Sequence, residues 1–221
     1  MLNQNSSDIR IEPYPSDDAL VAMVLADGAG RVRVSRFSST GGKPAAVLGR
    51  SGRPEVELDV EAVMRSGVDI FRRKGGGCAV LLDSGTVVVS IAEALPGLGD
   101  VNKILLGYCR GLVDSLLAIG IAGITLEGIS DLAFGGRKVA GTCLYRSKNI
   151  ALFSACILVD ADIPLMELCL RHPPREPAYR RGRNHGEFVA TLSETHGLRD
   201  IDGLVVALEK ALTASGSLIS A

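Results

Sequence analysis

Between Val101 and Ile119 the apolar side chains Ile104, Leu105, Tyr108, Leu112, Leu116 and Ile119 fall at helical spacing. That rhythm predicts an amphipathic helix whose apolar stripe enters a core. Elsewhere the period is shorter. Val32-Arg33-Val34-Ser35-Arg36-Phe37 alternates with period two, which predicts a half-buried strand, and Ala45 to Gly49 is a short apolar run suited to a buried one. From Val68 the chain alternates strand and punctuation: Val68–Arg72, a glycine loop, Cys78–Leu82, an Asp83-Ser84-Gly85 turn, and Thr86–Ile91. Ile124–Leu126, Leu132–Phe134, Lys138–Leu144 and Ala151–Val159 extend the series, each bounded by turn residues. Strands therefore dominate the middle of the chain, with their loops gathered at one end of a sheet.

Helices are expected around this block. Asp17-Asp18 opens a short apolar helix ending at Gly28, and Asp59 is placed to cap a helix carrying Val60, Val63 and Met64 inward before Gly67 stops it. Pro164 begins another across Leu165–Leu170, and a Pro/Arg-rich loop leads to helices near Glu187–Thr195 and Gly203–Ala214. Residues 1–15 read as a flexible lead and 16–221 as a single domain, which suits a chain of 221 residues.

Composition narrows the partners. The 24 basic and 25 acidic side chains leave a formal charge of −1, so there is no overall basic field for a nucleic acid. The polar N-terminus carries no signal pattern and no apolar run is long enough to span a bilayer, so a soluble, cytoplasmic protein without a membrane partner is expected. Cys78, Cys109, Cys143, Cys156 and Cys169 form no CxxC pair and sit mostly in apolar stretches, as buried free thiols do.

Candidate chemistry lies in two strings, Arg72-Arg73-Lys74-Gly75-Gly76-Gly77 and Gly136-Arg137-Lys138-Val139-Ala140-Gly141. Three glycines without Cβ atoms let a ligand approach the main chain, and the preceding cations suit an acyl-phosphate; a plain hairpin turn would use the same residues. No Gly-Lys-Ser/Thr follows the glycines, so the loop is not a P-loop. Lys138 opens an apolar strand, either as a solvated structural lysine or as a compact cation aimed at an oxygen that gains charge.

With Asp83-Ser84-Gly85 after the first string and Ser130-Asp131-Leu132 before the second, the chain from about Ala45 to Asp162 resembles the lipoate-protein ligases of the biotin/lipoate ligase superfamily. The resemblance implies an α+β fold with a mixed central sheet, a smaller sheet and flanking helices around a cleft for lipoate and an adenylate. It implies that ATP activates lipoate as lipoyl-AMP, with Mg²⁺ screening the phosphates, and that a carrier lysine then displaces AMP. Lys138 matches the family's ligase lysine. Arg72 is expected to line the lipoate tunnel, Gly75, Gly76, Gly77 and Cys78 to offer backbone groups, and Asp83, Gly85, Asp131, Gly141 and Ala155 to lie along the ligand. No metal-ligating residues are assigned.

The chain departs from the family at several positions. Ser130 stands for the usual Asn, Leu82 for the usual His, and Phe153-Ser154-Ala155 for a His-bearing string. The chain is expected to end too soon after the catalytic core for a C-terminal accessory domain, so that either its last helices suffice or a separate accessory subunit completes it. Tyr179-Arg180-Arg181-Gly182-Arg183-Asn184-His185 resembles a string of compact single-domain lipoate ligases, some associated with a sulfur-oxidising system. Arg180, Arg183 and His185 are expected to contact phosphate or carrier at a helix N-terminus, or to form a solvated basic loop. The carriers left open are glycine-cleavage H protein, the acyltransferase subunits of 2-oxoacid dehydrogenases, and a sulfur-oxidation lipoate-binding protein. A cysteine-dependent octanoyl or lipoyl transferase and a non-catalytic carrier-binding subunit stand as alternatives.

Overall fold

A computed structural model describes residues 9–214. Ten strands form two sheets: β1 Glu12–Pro13, β2 Arg31–Arg36, β3 Ala45–Leu48, β4 Asp69–Arg72, β5 Val80–Leu82, β6 Thr86–Ala94, β7 Thr125–Glu127, β8 Asp131–Phe134, β9 Arg137–Ser147 and β10 Ile150–Leu158. The larger sheet runs β2-β6-β10-β9-β8-β7 and the smaller β1-β4-β3-β5. Every pair in the larger sheet is antiparallel. The mixing of directions is confined to the smaller sheet, where β3 and β1 run parallel to β4 and β5 runs antiparallel to β3. Short hairpins explain this: β7 to β10 follow one another through tight turns, which only antiparallel neighbours allow. Gly135 and Gly136, at φ 58° and 74°, make the two-residue turn between β8 and β9, where both positions need a left-handed backbone.

The helices are α1 Pro15–Asp27, α2 Pro54–Glu57, α3 Val60–Arg65, α4 Val101–Ala118, α5 Ile163–Cys169, α6 His185–Phe188, α7 Leu192–His196 and α8 Ile201–Ala214. Asp100 caps α4 by accepting from the N–H groups of Asn102 and Lys103, and the periodic stripe Ile104, Tyr108, Leu112 and Leu116 is buried. It packs with α8 on one face of the larger sheet, where Tyr108 stacks on Phe153 at 5.1 Å and donates to Glu93 at 2.8 Å. A second core joins the smaller sheet to α3 and α5. Between the sheets Val47, Leu82 and Val88 meet edge to edge with Cys156.

Several expectations change. Part of the lead lies outside the described residues, at 1–8; within the rest, Glu12–Pro13 pairs with Phe71 and Arg72, so this stretch is an edge strand rather than a flexible lead. Asp59 caps α3 as expected, accepting from Ala62, yet Met64 is 62% exposed and Ala62 with Val63 faces inward. The helix expected near Glu187–Thr195 is two, α6 and α7, separated by extended Val189. There the backbone of Ala190 donates to the Lys138 carbonyl at 2.8 Å, and a bridge to β9 replaces the helical ladder.

Candidate active site

A cavity of about 700 Å³ opens between the two sheets. Its middle is apolar, lined by Val47, Val80, Leu82, Val88 and Leu158. Ser154, Cys156 and Leu158 line it from β10, while the intervening Ala155 and Ile157 point into the α4 core. Strand parity thus corrects the expectation for Ala155: its methyl lies on the far face of the sheet.

Lys138 reaches the same cavity through an irregularity. Gly141 and Cys143 line it from β9 with the alternation of a regular strand, which would turn Lys138 away. The pairing shifts at this point: Leu132 opposes Ala140 while Ala133 opposes Lys138, leaving Val139 as the extra residue. This β-bulge buries Val139 in the core and returns Lys138 to the cavity face. Its arm crosses Gly141, where a Cβ would lie 3.0 Å from Lys138 Cε.

The Lys138 ammonium pairs with Asp131 Oδ1 at 2.7 Å, and Tyr179 donates to Oδ2 of the same carboxylate at 3.0 Å. Both partners of the ion pair are largely shielded, with side chains 25% and 16% exposed. Burial, then the Asp131 charge, pushes the Tyr179 hydroxyl well above its ordinary range, so it stays a donor. Ser130 also lines the cavity, and its carbonyl accepts from Thr142 Oγ1 at 2.8 Å.

The glycine loop is used differently from the expectation. Arg72 does not line the cavity; its Nη1 donates to the carbonyls of Gly49, Arg50 and Gly52 in the loop beside it. Arg73 takes the cavity side, and its guanidinium donates to Val47 O at 2.8 Å, Gly76 O at 2.7 Å and Cys78 O at 2.9 Å. Gly77 and Cys78 line the wall, whereas Gly75 and Gly76 lie outside it. Gly75 is needed for packing: a Cβ there would come 2.6 Å from Cys143 Sγ. Asp83 and Gly85 also lie outside the cavity. The Asp83 carboxylate accepts from Gly85 N, Thr86 Oγ1 and Asp162 N, and a Cβ on Gly85 would strike Asp160 O at 2.0 Å, so both hold a turn against the next segment.

The arginine string is a folded strap rather than a solvated loop, and Arg180 lines the cavity from it. Arg180 is 4% exposed, its Nε donates to Arg183 O at 2.8 Å, and its guanidinium covers the Phe188 ring at 4.7 Å. Arg183 lies outside the cavity and donates to Gly136 O at 3.0 Å and Tyr179 O at 2.8 Å, tying the strap to the β8–β9 turn. His185 does line the cavity. Burial first, then the Arg180 charge, lowers its pKa to about 4, so the imidazole is neutral at pH 7 although Glu167 lies 3.7 Å away.

Three thiols line the cavity. Desolvation raises Cys143 and pushes Cys156 up to about 12, and the Cys78 S–H points at Arg175 O at 3.6 Å. From the sequence Arg73 is only one of the loop cations, and Tyr179, Ser154 and Asp17 carry no site role. The parity of β10 carried a signal for Ser154, and an acidic residue opening an apolar helix carried one for Asp17.

The catalytic-domain signature of lipoyl protein ligases A/B matches residues 33–212. The chain belongs to this family. It is 28% identical over 209 residues to octanoyltransferase LipM of Symbiobacterium thermophilum, which covers 84% of this chain and 76% of the relative. Two solved structures, each 20% identical and superposing over 94% of this chain with TM-score 0.74, show that the fold is shared. One is lipoate-protein ligase A bound with ATP, covered over 83%; the other is an archaeal bi-partite lipoate protein ligase with its E2 lipoyl domain from Thermoplasma acidophilum, covered over 81%. The chain spans only 40% of the lipoate–protein ligase of Streptococcus pyogenes, at 26% identity over 63% of its own length. No helix among the described residues is long and apolar enough to cross a membrane.

Proposed function

We propose that the protein is an ATP-dependent lipoate-protein ligase, which joins lipoate to AMP with release of pyrophosphate and then passes the lipoyl group to a carrier lysine as an amide. Lys138 supplies the cation for both half-reactions. Its ammonium projects over Gly141 into an apolar cavity, oriented by Asp131, which Tyr179 holds in turn. A fixed point charge stabilises oxygen as it gains charge, and positioning of the amine against a reactive adenylate supplies much of the second step.

The observation that carries this reading over a thioester-forming transferase is the state of the thiols. Nucleophilic cysteine acts as thiolate. Cys143 and Cys156 are held as thiols by burial, and among the described residues neither has a hydrogen bond to an imidazole or carboxylate. The Cys78 S–H donates a weak hydrogen bond to the Arg175 carbonyl at 3.6 Å. The LipM relative keeps the transferase as the second reading.

Among the described residues no three His, Cys, Asp or Glu side chains converge on a metal-sized site, and both Asp131 oxygens are engaged. The protein's own groups therefore build no Mg²⁺ cage by themselves, and the nucleotide phosphates would have to supply most of its ligands. The carrier is a lipoyl domain or H-type protein. The test is pyrophosphate release from ATP with lipoate. Acyl transfer from a carrier thioester without ATP would overturn the proposal in favour of the transferase.

A further inference from the structure

Of the three histidines only His185 lines the cavity. It opens α6, whose first turn is fixed by the capping box of Asn184 and Glu187. One turn later Val189 donates its N–H to the His185 carbonyl at 2.9 Å and bridges to Lys138 on β9, so the imidazole stands close to the site cation. Glu167 of α5 lies behind the ring: its Oε2 accepts from Gly186 N at 3.0 Å and sits 3.7 Å from His185 Nδ1. That distance is too long for a hydrogen bond. A carboxylate fixed on this side still favours the tautomer with its proton on Nδ1, which leaves the Nε2 lone pair as the acceptor.

We propose that His185 Nε2 accepts the proton which the carrier amine loses as it attacks the acyl-adenylate, with Glu167 as the group that orients the ring. This role rests on the ligase reading, which puts the acyl group beside Lys138. The other acceptors on the cavity wall are taken. Asp17 accepts from Lys74 N, Glu57 from the N–H groups of Arg53 and Ala79, and Glu176 from Gly182 N while pairing with His172. Asp131 holds Lys138 and Tyr179. Cys143 and Cys156 keep their protons. The His185 ring forms no hydrogen bond among the described residues.

The carrier lysine arrives as an ammonium and loses one proton to water before it attacks. Its electron pair forms the bond to the acyl carbon, and a second proton passes to Nε2. The bond from the acyl carbon to the phosphate oxygen breaks, and its pair leaves on AMP. The products are the amide, AMP and an imidazolium, which returns its proton to water. Burial, with Arg180 and His172 from the strap and Lys138 from β9, keeps the ring unprotonated beforehand against the pull of Glu167. The adenylate phosphate brings negative charge to the same wall, which raises the proton affinity of the ring for the step that needs it.

Transfer from pre-made lipoyl-AMP by the full chain tests this, with a lipoyl carrier and with hydroxylamine as alternative acceptors. Hydroxylamine is a weakly basic amine whose adduct sheds its proton to water, so it needs no base. His185→Gln should lower transfer to the carrier about a hundredfold and hydroxamate formation by no more than about threefold. Glu167→Gln, at a more exposed position, should show the same selectivity with a loss of about tenfold, and it carries the test if His185→Gln does not fold. Wild-type transfer to the carrier in the folded variants would overturn the role, and so would equal losses with both acceptors. Pyrophosphate release from ATP with lipoate, measured on the wild type, separates the readings. Its absence removes the ligase while the two acceptors still judge His185; its presence with unselective variants keeps the ligase and removes the base. A wild type that consumes no lipoyl-AMP removes both.

Discussion

Arg72-Arg73-Lys74 and Lys138 sit beside glycines in similar strings, yet the first three are committed to the fold, Arg73 from the cavity wall, while the fourth keeps its ammonium in the cavity beside a single carboxylate. A guanidinium fork carries five donors, and a glycine loop exposes many carbonyls, so Arg72 and Arg73 are absorbed by the main chain of Val47–Gly52 and Gly76–Cys78. Lys74 is held by α1, through its N–H to Asp17 and its ammonium to Asp18 at 2.7 Å. Lys138 has a single carboxylate partner and a bulge that aims it. Basic residues next to glycines therefore mark two different things: a clamp where the cation is a planar fork among carbonyls, and an available charge where it is a point cation beside one carboxylate.

The largest expected effect falls on Lys138. Lys138→Ala should lower adenylate formation and transfer by on the order of a hundredfold or more, about 3 kcal/mol of barrier, while shifting the unfolding midpoint less than Arg73→Ala does. Steady-state rates and denaturant melts check both halves; wild-type rates in the variant would remove Lys138 from the chemistry.

His185 sharpens the comparison, because its neutral form adds no cation near Lys138. Its folded pKa, about 4, lies below the ordinary 6.5, so the native state favours the neutral ring. That contribution is present above pH 6.5 and is lost as pH falls toward 4, on the order of 3 kcal/mol in full. Glu167, Arg180, His172 and Lys138 are the charged groups facing it. His185→Gln should flatten the fall in stability across pH 6.5 to 4 relative to wild type, and a parallel pair of pH–stability curves would contradict the assignment.

On the clamp side, Arg73→Ala should cost about 2 kcal/mol of stability by stranding the Val47, Gly76 and Cys78 carbonyls. Unfolding by urea measures it. Loss of activity with unchanged stability would make Arg73 a ligand contact and dissolve the contrast with Lys138.

The smallest effect belongs to Tyr179. Tyr179→Phe keeps the ring against Phe188 and removes one hydrogen bond to Asp131, so a loss of about tenfold in kcat is expected, with little change in KM. In an Asp131→Asn background the same substitution should add almost nothing, because both act on the orientation of Lys138. Additive losses would show that Tyr179 acts elsewhere.

Much of this architecture is legible in the sequence. The apolar stripe of α4, the Asp59 cap and the strand series from Val68 to Val159 follow from periodicity and turn residues, and the two glycine strings locate both walls of the cavity. The remainder depends on one-residue geometry. Which of Arg72 and Arg73 faces the cavity, and whether Ala155 or its neighbours Ser154 and Cys156 do, turns on strand parity, which a single slip reverses. Parity alone would also have hidden Lys138, since the bulge at Val139 appears only once β8 and β9 are paired. The strap from Arg171 to Arg183 lacked a periodic signal, and its Tyr179 acts across a separation in sequence that no local pattern reports.

Pyrophosphate release from ATP tests the central claim most directly, measured with lipoate alone and then with a lipoyl carrier. The account predicts a burst with lipoate alone, continuous turnover once carrier is added, and neither in Lys138→Ala. Absence of pyrophosphate under both conditions, together with an acyl group trapped on Cys78, Cys143 or Cys156, would contradict it.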